Sequence, residues 1–306
     1  MNGIKLFFAI AAGLLCIAGC SGGSDDTKKT ENTDETVVVD SASLRVAVMP
    51  TIDCLPFFVA EEEGMFEREG VSVSLYPYQA QMDCDTAFQN GWVDVMVTDI
   101  VRAERLKSMG MQFRYLTATD LQWQMLAGKH AHLKKLKQLE NKMIAMTRYS
   151  ATAMLADMLV DSASVTDEHV FRIQVNDLSV RLQMLETEVM DAMFLPEPQA
   201  TVARKIGAEV LYDTQWNDIC MGAMVASEIS QTDTLRQRLT KVMLKTYGEA
   251  CDSINSRGVK YYSKLLARRC GLNEWVTDSI SSAIRFKGVR QPRQEDIARA
   301  TTWLNK

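Results

Sequence analysis

Strands and helices alternate along the chain from residue 44 onward, and this alternation constrains the fold more than any other feature. Residues 44–49 are apolar at alternate positions and beyond, as in a strand covered on both faces. A helix over 57–63 follows Pro56, a residue that the first turn of a helix tolerates. A second strand over 71–76 then alternates with period two. Such a strand–helix–strand unit predicts a parallel sheet.

The same order continues further along the chain and indicates an α/β fold. Residues 88–95 also align with residues 185–192, since both read as a helix end, a turn and an Asp leading into a strand. Two similar units predict two lobes, and a ligand crevice between lobes is a common arrangement. The further predicted strands are 93–97, 113–117, 143–146 and 170–175, and the further predicted helices are 83–90, 101–109, 151–160 and 178–185.

The last quarter of the chain changes character and reads as helices only. Apolar residues recur there every three or four positions, and Gly258 and Gly271 separate the segments. A terminal helical set of this kind is expected to pack onto an existing sheet. The predicted helices are 235–254, 259–269, 274–284 and 293–304.

The N-terminus carries the pattern of an export signal. The apolar run 6–17 behind Lys5 is too short to span a bilayer, which needs roughly twenty residues, and it fits a secretory signal. The sequence Ile17-Ala18-Gly19-Cys20 resembles the lipobox of bacterial lipoproteins, in which the cysteine thiol takes a diacylglycerol; an ordinary signal peptide is the alternative. We therefore predict a signal peptide over 1–19 with lipidation at Cys20.

Residues 20–43 are predicted to be a flexible tether, because they are polar and have almost no large apolar side chain before Val37. The triplet Ser24-Asp25-Asp26 resembles the acidic signals that send some lipoproteins to the cell surface. The expected location is the cell envelope, with the protein anchored to a membrane by its lipid.

Composition excludes several classes of function. The formal charge of −5 and the absence of a basic tract argue against nucleic-acid binding. Three histidines make a His-based metal or acid–base centre unexpected, so no metal and no cofactor is predicted. Cys54 and Cys84 follow neighbouring strands, and a disulfide between them stays open, whereas Cys251 and Cys270 are predicted to be unpaired because a helical hairpin holds them out of register.

Three motifs resemble the substrate-binding proteins of ABC importers for sulfonates, nitrate and thiamine-precursor pyrimidines. They are MPTIDCLPFFVAEEEGMFEREGV (49–71), FQNGWVDV (88–95) and DAMFLPEPQA (191–200), and the similarity in order and spacing runs from about residue 44 to 290. Glu188 departs from the pattern, since the family usually has glycine there. The resemblance implies a type II periplasmic-binding-protein fold, with two α/β lobes, a ligand cleft between them and C-terminal helices packed on lobe I.

The resemblance also implies the division of the chain and its role. Lobe I would comprise 44–126 and 226–306, and lobe II would comprise 127–225. The protein would be a monomer without enzymatic activity that captures a small organic molecule by lobe closure and delivers it to an ABC permease and its ATPase. A surface or sensor lipoprotein without transport, or an enzyme on the same fold such as a pyrimidine-precursor synthase, are the alternatives.

The cleft residues are expected beyond the carboxyl ends of the strands, where ligands of open α/β sheets bind. Ser150 is a candidate helix N-cap whose neighbouring amides and hydroxyls would hold an oxygen. Carboxylates outnumber arginines among the candidates, which favours a heterocyclic or amine-bearing ligand over a sulfonate. The candidates are Thr51, Asp53, Cys54, Phe57, Gln79, Asp83, Thr98, Asp99 and Trp123 in lobe I and Arg148, Tyr149, Ser150, Thr152 and Glu197 in lobe II.

Overall fold

The computed structural model describes residues 43–306 and builds them on two five-stranded sheets. The signal peptide, Cys20 and nearly all of the predicted tether lie outside the described residues, whereas Ser43 already belongs to the first strand. Ser41–Lys306 forms one compact unit. The strands are β1 (Ser43–Val48), β2 (Ser72–Pro77), β3 (Val95–Asp99), β4 (Phe113–Ala118), β5 (Gln124–Ala127), β6 (Lys142–Met146), β7 (Val170–Gln174), β8 (Ala192–Leu195), β9 (Glu209–Asp213) and β10 (Gly222–Ser227).

The two sheets share one topology. The first has the order β2-β1-β3-β10-β4 and the second β7-β6-β8-β5-β9. In each sheet four strands run in one direction, and a single strand, β10 in the first sheet and β5 in the second, lies antiparallel between two of them. The central strands β3 and β8 are buried along their whole length, because helices cover both faces of the sheet. We call the first sheet with its helices lobe I and the second lobe II.

The helices have the following bounds, and short 3-10 turns connect several of them. The α-helices are α1 (Leu55–Glu62), α2 (Met65–Arg68), α3 (Gln81–Gln89), α4 (Ile100–Ser108), α5 (Ala151–Ala163), α6 (Leu178–Glu186), α7 (Gln199–Lys205), α8 (Glu228–Thr232), α9 (Thr234–Arg257), α10 (Ser263–Cys270), α11 (Glu274–Thr277) and α12 (Gln294–Leu304). The 3-10 turns are Ile52–Cys54, Lys129–Ala131, Leu136–Leu139, Asp167–His169, Thr214–Asn217 and Val259–Tyr262.

The aligned aspartates of the two lobes have the same structural role. Asp94 precedes β3 and its Oδ2 accepts the backbone N–H of Arg45 on β1 at 3.0 Å. Asp191 precedes β8 and its Oδ2 accepts the backbone N–H of Met143 on β6 at 2.9 Å. Each carboxylate therefore fixes the start of the central strand against its parallel neighbour, which explains why the two segments resemble each other.

The chain passes between the sheets twice, at positions that differ from the predicted boundaries. Strand β5, which the prediction assigns to lobe I, pairs within the second sheet, and most of β10, assigned to lobe II, pairs within the first. The two crossing segments are therefore 119–123 and 214–221. They lie against each other, since the backbone N–H of Trp123 donates to Thr214 Oγ1 at 3.1 Å.

The C-terminal region is helical as predicted except after residue 277. The predicted helix over 274–284 ends at Thr277, and the chain then runs irregularly to α12. Asn255 of α9 holds this run, because its side chain bonds both the N–H and the C=O of Phe286. The segment reaches the first crossing segment, where Arg290 forms an ion pair with Asp120 at 2.7 Å. These tertiary bonds outweigh the helical pattern of the sequence.

All five described cysteines are free thiols. Cys54 and Cys84 are both fully buried and unbridged, so the disulfide that the sequence left open is absent from the described chain. Cys251 and Cys270 are unpaired, as predicted. Burial raises the pKa of the Cys54 and Cys84 thiols well above the ordinary value, so both are protonated and unreactive at neutral pH.

Candidate ligand-binding site

A cavity lies between the two sheets, at the carboxyl ends of their parallel strands. Its empty volume is about 480 Å³ when the mouth is included, but only about 30 Å³ remains for the centres of water-sized molecules. The smaller volume is the space that the centre of a ligand atom can occupy, so the two lobes enclose only a small site. The lining residues are Met49, Thr51, Asp53, Gln81, Val97, Thr98, Asp99, Leu121 and Trp123 from lobe I and its crossing segment, and Thr147, Ser150, Thr152, Asn176, Leu178 and Arg181 from lobe II.

Asp53 supplies a carboxylate to the lobe I wall. It follows β1 in a 3-10 turn and is almost completely buried. Its two oxygens accept hydrogen bonds from the Thr51 hydroxyl at 2.6 Å and from the Thr119 hydroxyl at 2.8 Å. Burial raises the pKa of the Asp53 carboxyl above its ordinary value, and these hydrogen bonds oppose that rise.

Asp99 joins the two lobes through a single oxygen. It ends β3 and caps α4, because its Oδ1 accepts the backbone N–H of Arg102 at 3.0 Å. The same Oδ1 accepts the backbone N–H of Ala151, at the start of α5 in lobe II, also at 3.0 Å. Burial raises the pKa of Asp99 to about 6, while the Arg102 guanidinium and the two amides oppose the rise.

The start of α5 forms the lobe II wall. Ser150 is its N-cap, as predicted, and the Ser150 hydroxyl accepts the N–H of Thr152 at 3.1 Å. That hydroxyl also donates to the Thr147 carbonyl at 2.6 Å, and Thr152 Oγ1 accepts the N–H of Thr147 at 2.9 Å. The polar groups of this turn therefore bond mainly to each other.

Arg181 places a buried guanidinium in the same wall. Only 1% of its surface is exposed, and its three nitrogens donate to the carbonyls of Val175 and Phe194 and to Thr147 Oγ1. In the described chain no carboxylate forms an ion pair with it, and Asp177 acts on it only through space. Burial lowers the pKa of Arg181 to about 9, so the side chain stays charged at neutral pH.

The remaining walls are apolar, with two polar atoms that lack a partner. Met49, Val97 and Leu121 line the cavity beside the Trp123 ring. Among the described residues, the Trp123 indole N–H and the Thr98 hydroxyl are buried without a hydrogen-bond partner. Buried polar groups are normally bonded, so a molecule in the cavity is the natural partner for both.

Half of the fourteen residues predicted from the sequence line this cavity. They are Thr51, Asp53, Thr98, Asp99, Trp123, Ser150 and Thr152. Six of them lie at or just beyond a strand end, where the strand-end rule placed them, and Trp123 lies on the first crossing segment just before β5.

In lobe I, four predicted residues lie outside the cavity. Phe57 is fully buried on α1 and packs its ring against Tyr247 of α9, with ring centroids 5.1 Å apart. The Cys54 thiol is buried behind its loop, where it accepts the N–H of Met49 at 3.4 Å. Gln79 and Asp83 are exposed to solvent, because the first turn of α3 directs Gln81 into the cavity instead.

In lobe II, three predicted residues also lie outside it. Arg148 and Tyr149 are exposed, and the Tyr149 ring lies under the Arg105 guanidinium, 4.1 Å from its centroid. Glu197 is buried, but its Oε2 accepts from Thr201 and its Oε1 pairs with Arg204. These internal bonds direct its side chain along α7 and away from the ligand space.

Arg181 is the most important lining residue that the sequence analysis missed. The buried face of α6 consists of Leu178, Arg181, Leu182 and Leu185, at the spacing of a core-facing helix stripe. An arginine on an otherwise apolar stripe was the available signal, since a buried charge needs a structural or functional reason.

Direct hydrogen bonds hold the lobes together beside the cavity. The Ile52 N–H donates to the Glu197 carbonyl at 2.8 Å, and Gln199 Nε2 donates to the Pro50 carbonyl at 2.8 Å. With the bond from Ala151 to Asp99, they connect the loops that follow β1 and β3 to lobe II. The two lobes are therefore in direct contact beside the cavity.

Neither a metal site nor a membrane-spanning helix occurs in the part of the chain that the structure describes. Over residues 43–306, no three His, Cys, Asp or Glu side chains are grouped closely enough to bind a metal ion. Within the same range, each helix is too short or too polar to cross a bilayer.

Solved periplasmic binding proteins have a similar fold. The aliphatic sulphonate binding protein SsuA from Escherichia coli superposes with a TM-score of 0.71 at 15% identity, over 86% of this chain and 87% of that one. The nitrate-binding protein NrtA from Synechocystis PCC 6803 gives 0.68 at 13% identity, over 84% and 75%. PhnD1 from Prochlorococcus marinus MIT 9301, in complex with methylphosphonate, gives 0.58 at 14% identity, over 87% and 99%.

These likenesses confirm the predicted fold class of two α/β lobes of the type II periplasmic-binding-protein kind. A comparison with curated proteins finds no match. A family model described as NMT1/THI5 like matches residues 51–251, which is well over half of the chain and includes strands of both sheets. The chain therefore belongs to the NMT1/THI5-like family.

Proposed function

We propose that this protein is a lipid-anchored solute-binding protein that captures a small organic molecule by lobe closure and delivers it to an ABC importer. One observation carries the proposal: polar side chains of both lobes converge on a shielded cavity at the strand ends, and two of their atoms lack partners. A ligand that contacts both walls stabilises the closed arrangement over an open one, which is how binding drives closure.

The structural neighbours support an importer role. They include binding proteins for aliphatic sulphonates and for nitrate, and the ligand-binding component of an ABC-type import system from Staphylococcus aureus. The partners of this chain would then be a small-molecule ligand, a permease and an ATPase. The protein acts as a monomer without enzymatic chemistry in this proposal.

The cavity supports binding over catalysis. None of its lining residues is a histidine, a cysteine or a lysine. The enzyme alternative would have to use a hydroxyl such as that of Thr51, which donates to Asp53 Oδ1 at 2.6 Å, as its nucleophile. The acidic triplet after Cys20 favours the other alternative, a surface or sensor lipoprotein that binds a ligand without transport.

Ligand binding is tested by thermal unfolding of residues 41–306 against a panel of small organic nitrogen compounds and oxyanions. Saturation at a hundred times the dissociation constant adds about 2.7 kcal/mol to the free energy of unfolding, which moves the melting temperature by several degrees. We expect a saturable shift with one class of compound and its loss in Asp53→Ala. A well-folded protein that responds to none of the panel would contradict the proposed role.

Anchoring and transport need separate tests in cells. Cys20→Ala is expected to move the protein from the membrane fraction to the soluble fraction, because it removes the thiol that takes the lipid. Deletion of the protein is expected to abolish uptake of the labelled ligand at low concentration. Normal uptake in the deletion strain, with binding intact, would favour the sensor alternative.

A further inference from the structure

The helix start that faces the cavity has no amide left for an oxyanion. The first four amides of α5 are all bonded within the protein: Ala151 to Asp99 Oδ1, Thr152 to the Ser150 hydroxyl, and Ala153 and Met154 to the Ser150 carbonyl. Free amides at a helix N-terminus are what makes that end an anion site. Here the carboxylate of Asp99 already takes the position that an anionic ligand would need.

The cavity therefore offers acceptors more than donors. Oδ1 of Asp99 takes both amides, and Oδ2 has no hydrogen-bond partner among residues 43–306. Each oxygen of Asp53 accepts one hydroxyl and keeps capacity for another donor. The nearby cation Arg102 forms its ion pair with Asp85, and it stabilises the charge of Asp99 without bonding to Oδ2.

Donors in the cavity include the side-chain amides of Gln81 and Asn176, and Gln81 Nε2 already donates to the Val97 carbonyl at 3.2 Å. Each nitrogen of Arg181 already has a protein acceptor. The Trp123 indole N–H lacks a partner within the described chain and can only donate, so it requires one acceptor atom on the ligand. The Thr98 hydroxyl also lacks a partner and serves either role.

We propose, on the basis of the function proposed above, that the ligand is a small neutral or cationic nitrogen compound and that Asp99 determines this specificity. An amine, amidine or amino-heterocycle donates its N–H groups to Asp99 Oδ2 and Asp53. A ring nitrogen or carbonyl on the ligand accepts from Trp123. Sulfonates, phosphonates and nitrate are excluded, because a carboxylate stands where their oxygens would bind and repels their charge.

The test uses the isosteric variant Asp99→Asn. Asn keeps an oxygen that can accept the two helix amides, but it presents an NH₂ donor to the cavity in place of Oδ2. Asp233→Asn is the matched control, because Asp233 caps α9 in the same way, by accepting the N–H of Arg236, and does not line the cavity. If Asp99→Asn does not fold, the same measurement is made with Asp53→Asn, which changes the second carboxylate of the cavity.

Binding is measured by thermal shift and isothermal titration with matched small probes. The nitrogen probes are 4-aminopyrimidine, acetamidine and propylamine, and the anionic probes are ethanesulfonate, methylphosphonate and nitrate. We expect the wild-type protein to bind at least one nitrogen probe and no anion. Affinity for that probe should fall about ten- to a hundredfold in Asp99→Asn, since a hydrogen bond to a charged group is lost, and should be unchanged in Asp233→Asn.

The outcomes separate this inference from the function on which it rests. Saturable binding of an anionic probe to the wild-type protein, unaffected or weakened by Asp99→Asn, would overturn the inference and leave the ligand-binding role intact. Binding of a nitrogen probe that neither Asp99→Asn nor Asp53→Asn weakens would overturn it as well. A folded protein that binds none of the six probes would count against both proposals.

Discussion

At the scale of single residues, protonation of the Asp99 carboxyl should affect fold stability and ligand binding in opposite directions. Burial raises its pKa to about 6 in the folded protein, above the ordinary value of 3.8. The folded state then binds the proton more tightly than the unfolded state, so the contribution of Asp99 to stability is lost as pH rises through 6. Donor ligands require the ionised form, so their binding weakens as pH falls through 6.

We therefore predict that ligand and pH act against each other in thermal unfolding. Between pH 7 and pH 5 the ligand-induced shift in melting temperature should shrink, while the contribution of Asp99 to the stability of the ligand-free protein grows. Arg102 and Asp85 are the charged groups that act on Asp99, and both remain in Asp99→Asn. Both dependences should weaken in that variant, and the remainder should come from Asp53 and Asp85, whose pKa values burial also raises. A ligand shift in the wild-type protein that grows toward pH 5 would contradict the assignment.

Removal of the Arg181 guanidinium is predicted to destabilise the fold. Arg181→Met leaves three acceptors without their donor, two of them in buried bonds, and we expect a loss of about 2 kcal/mol or more in the free energy of unfolding. Arg285→Met is the control, because Arg285 is exposed and surface changes usually stay within about 0.5 kcal/mol. Equal denaturation midpoints for the two variants would show that the buried guanidinium is dispensable.

Strand ends could be predicted from the sequence, and side-chain directions could not. Thr51, Asp99 and Ser150 follow apolar runs with clear boundaries, so their placement at the cavity needed only the position of each strand. Phe57 lies on the helix after β1, and its ring is buried against Tyr247, far along the chain. Glu197 lies just beyond β8, but Thr201 and Arg204 on α7 bind its carboxylate. The position of a strand end does not reveal such contacts.

At the scale of elements, the crossing segments depend on a close approach at the start of β10. A Cβ atom on Gly222 would lie 2.2 Å from Thr119 Oγ1 and 2.6 Å from Leu121 Cβ. Thr119 is also the residue that donates to Asp53. Glycine at this position therefore keeps the first crossing segment in place beside the cavity.

Gly222→Ala is predicted to lower the free energy of unfolding by about 1–3 kcal/mol, as overpacking does, and to weaken ligand binding by displacing Thr119. Gly248→Ala is the matched control within α9, where the new methyl group meets only Val289 at an ordinary 3.5 Å. It should stabilise the protein by roughly 0.5–1 kcal/mol, because glycine is unfavourable within a helix. Denaturant unfolding measures both, and effects of the same sign would contradict the argument.

The elements that the sequence failed to predict share one property. Strands β9 and β10 lie where the sequence analysis assigned no element, and β10 occupies a place between β3 and β4 that only the long-range pairing creates. The irregular run after Thr277 is likewise fixed by Asn255 and Asp120 and not by its own residues. Local periodicity predicts the strands and helices in the first part of each lobe well, because elements that are consecutive in the sequence pack next to each other there.

At the scale of the whole molecule, ligand binding is predicted to reduce the radius of gyration. The bonds from Ile52 to Glu197 and from Ala151 to Asp99 connect the lobes only when these lie together. Small-angle X-ray scattering should show a more compact protein at saturation, and hydrogen exchange should show slower exchange of the Ile52 and Ala151 amides. Unchanged scattering and exchange at saturation would contradict closure.

One carboxylate oxygen of Asp99 accepts an amide N–H from each lobe, so the residue that we propose to select the ligand also connects the two lobes. Under the proposed function, a ligand-free protein with closed lobes presents the permease with the same surface as the ligand-bound form. Each such complex occupies the permease without delivering a ligand. The bond from Ala151 to Asp99 is one of those that favour the closed form without ligand, so a substitution at residue 99 would change both the ligand preference and the uptake rate at low ligand concentration.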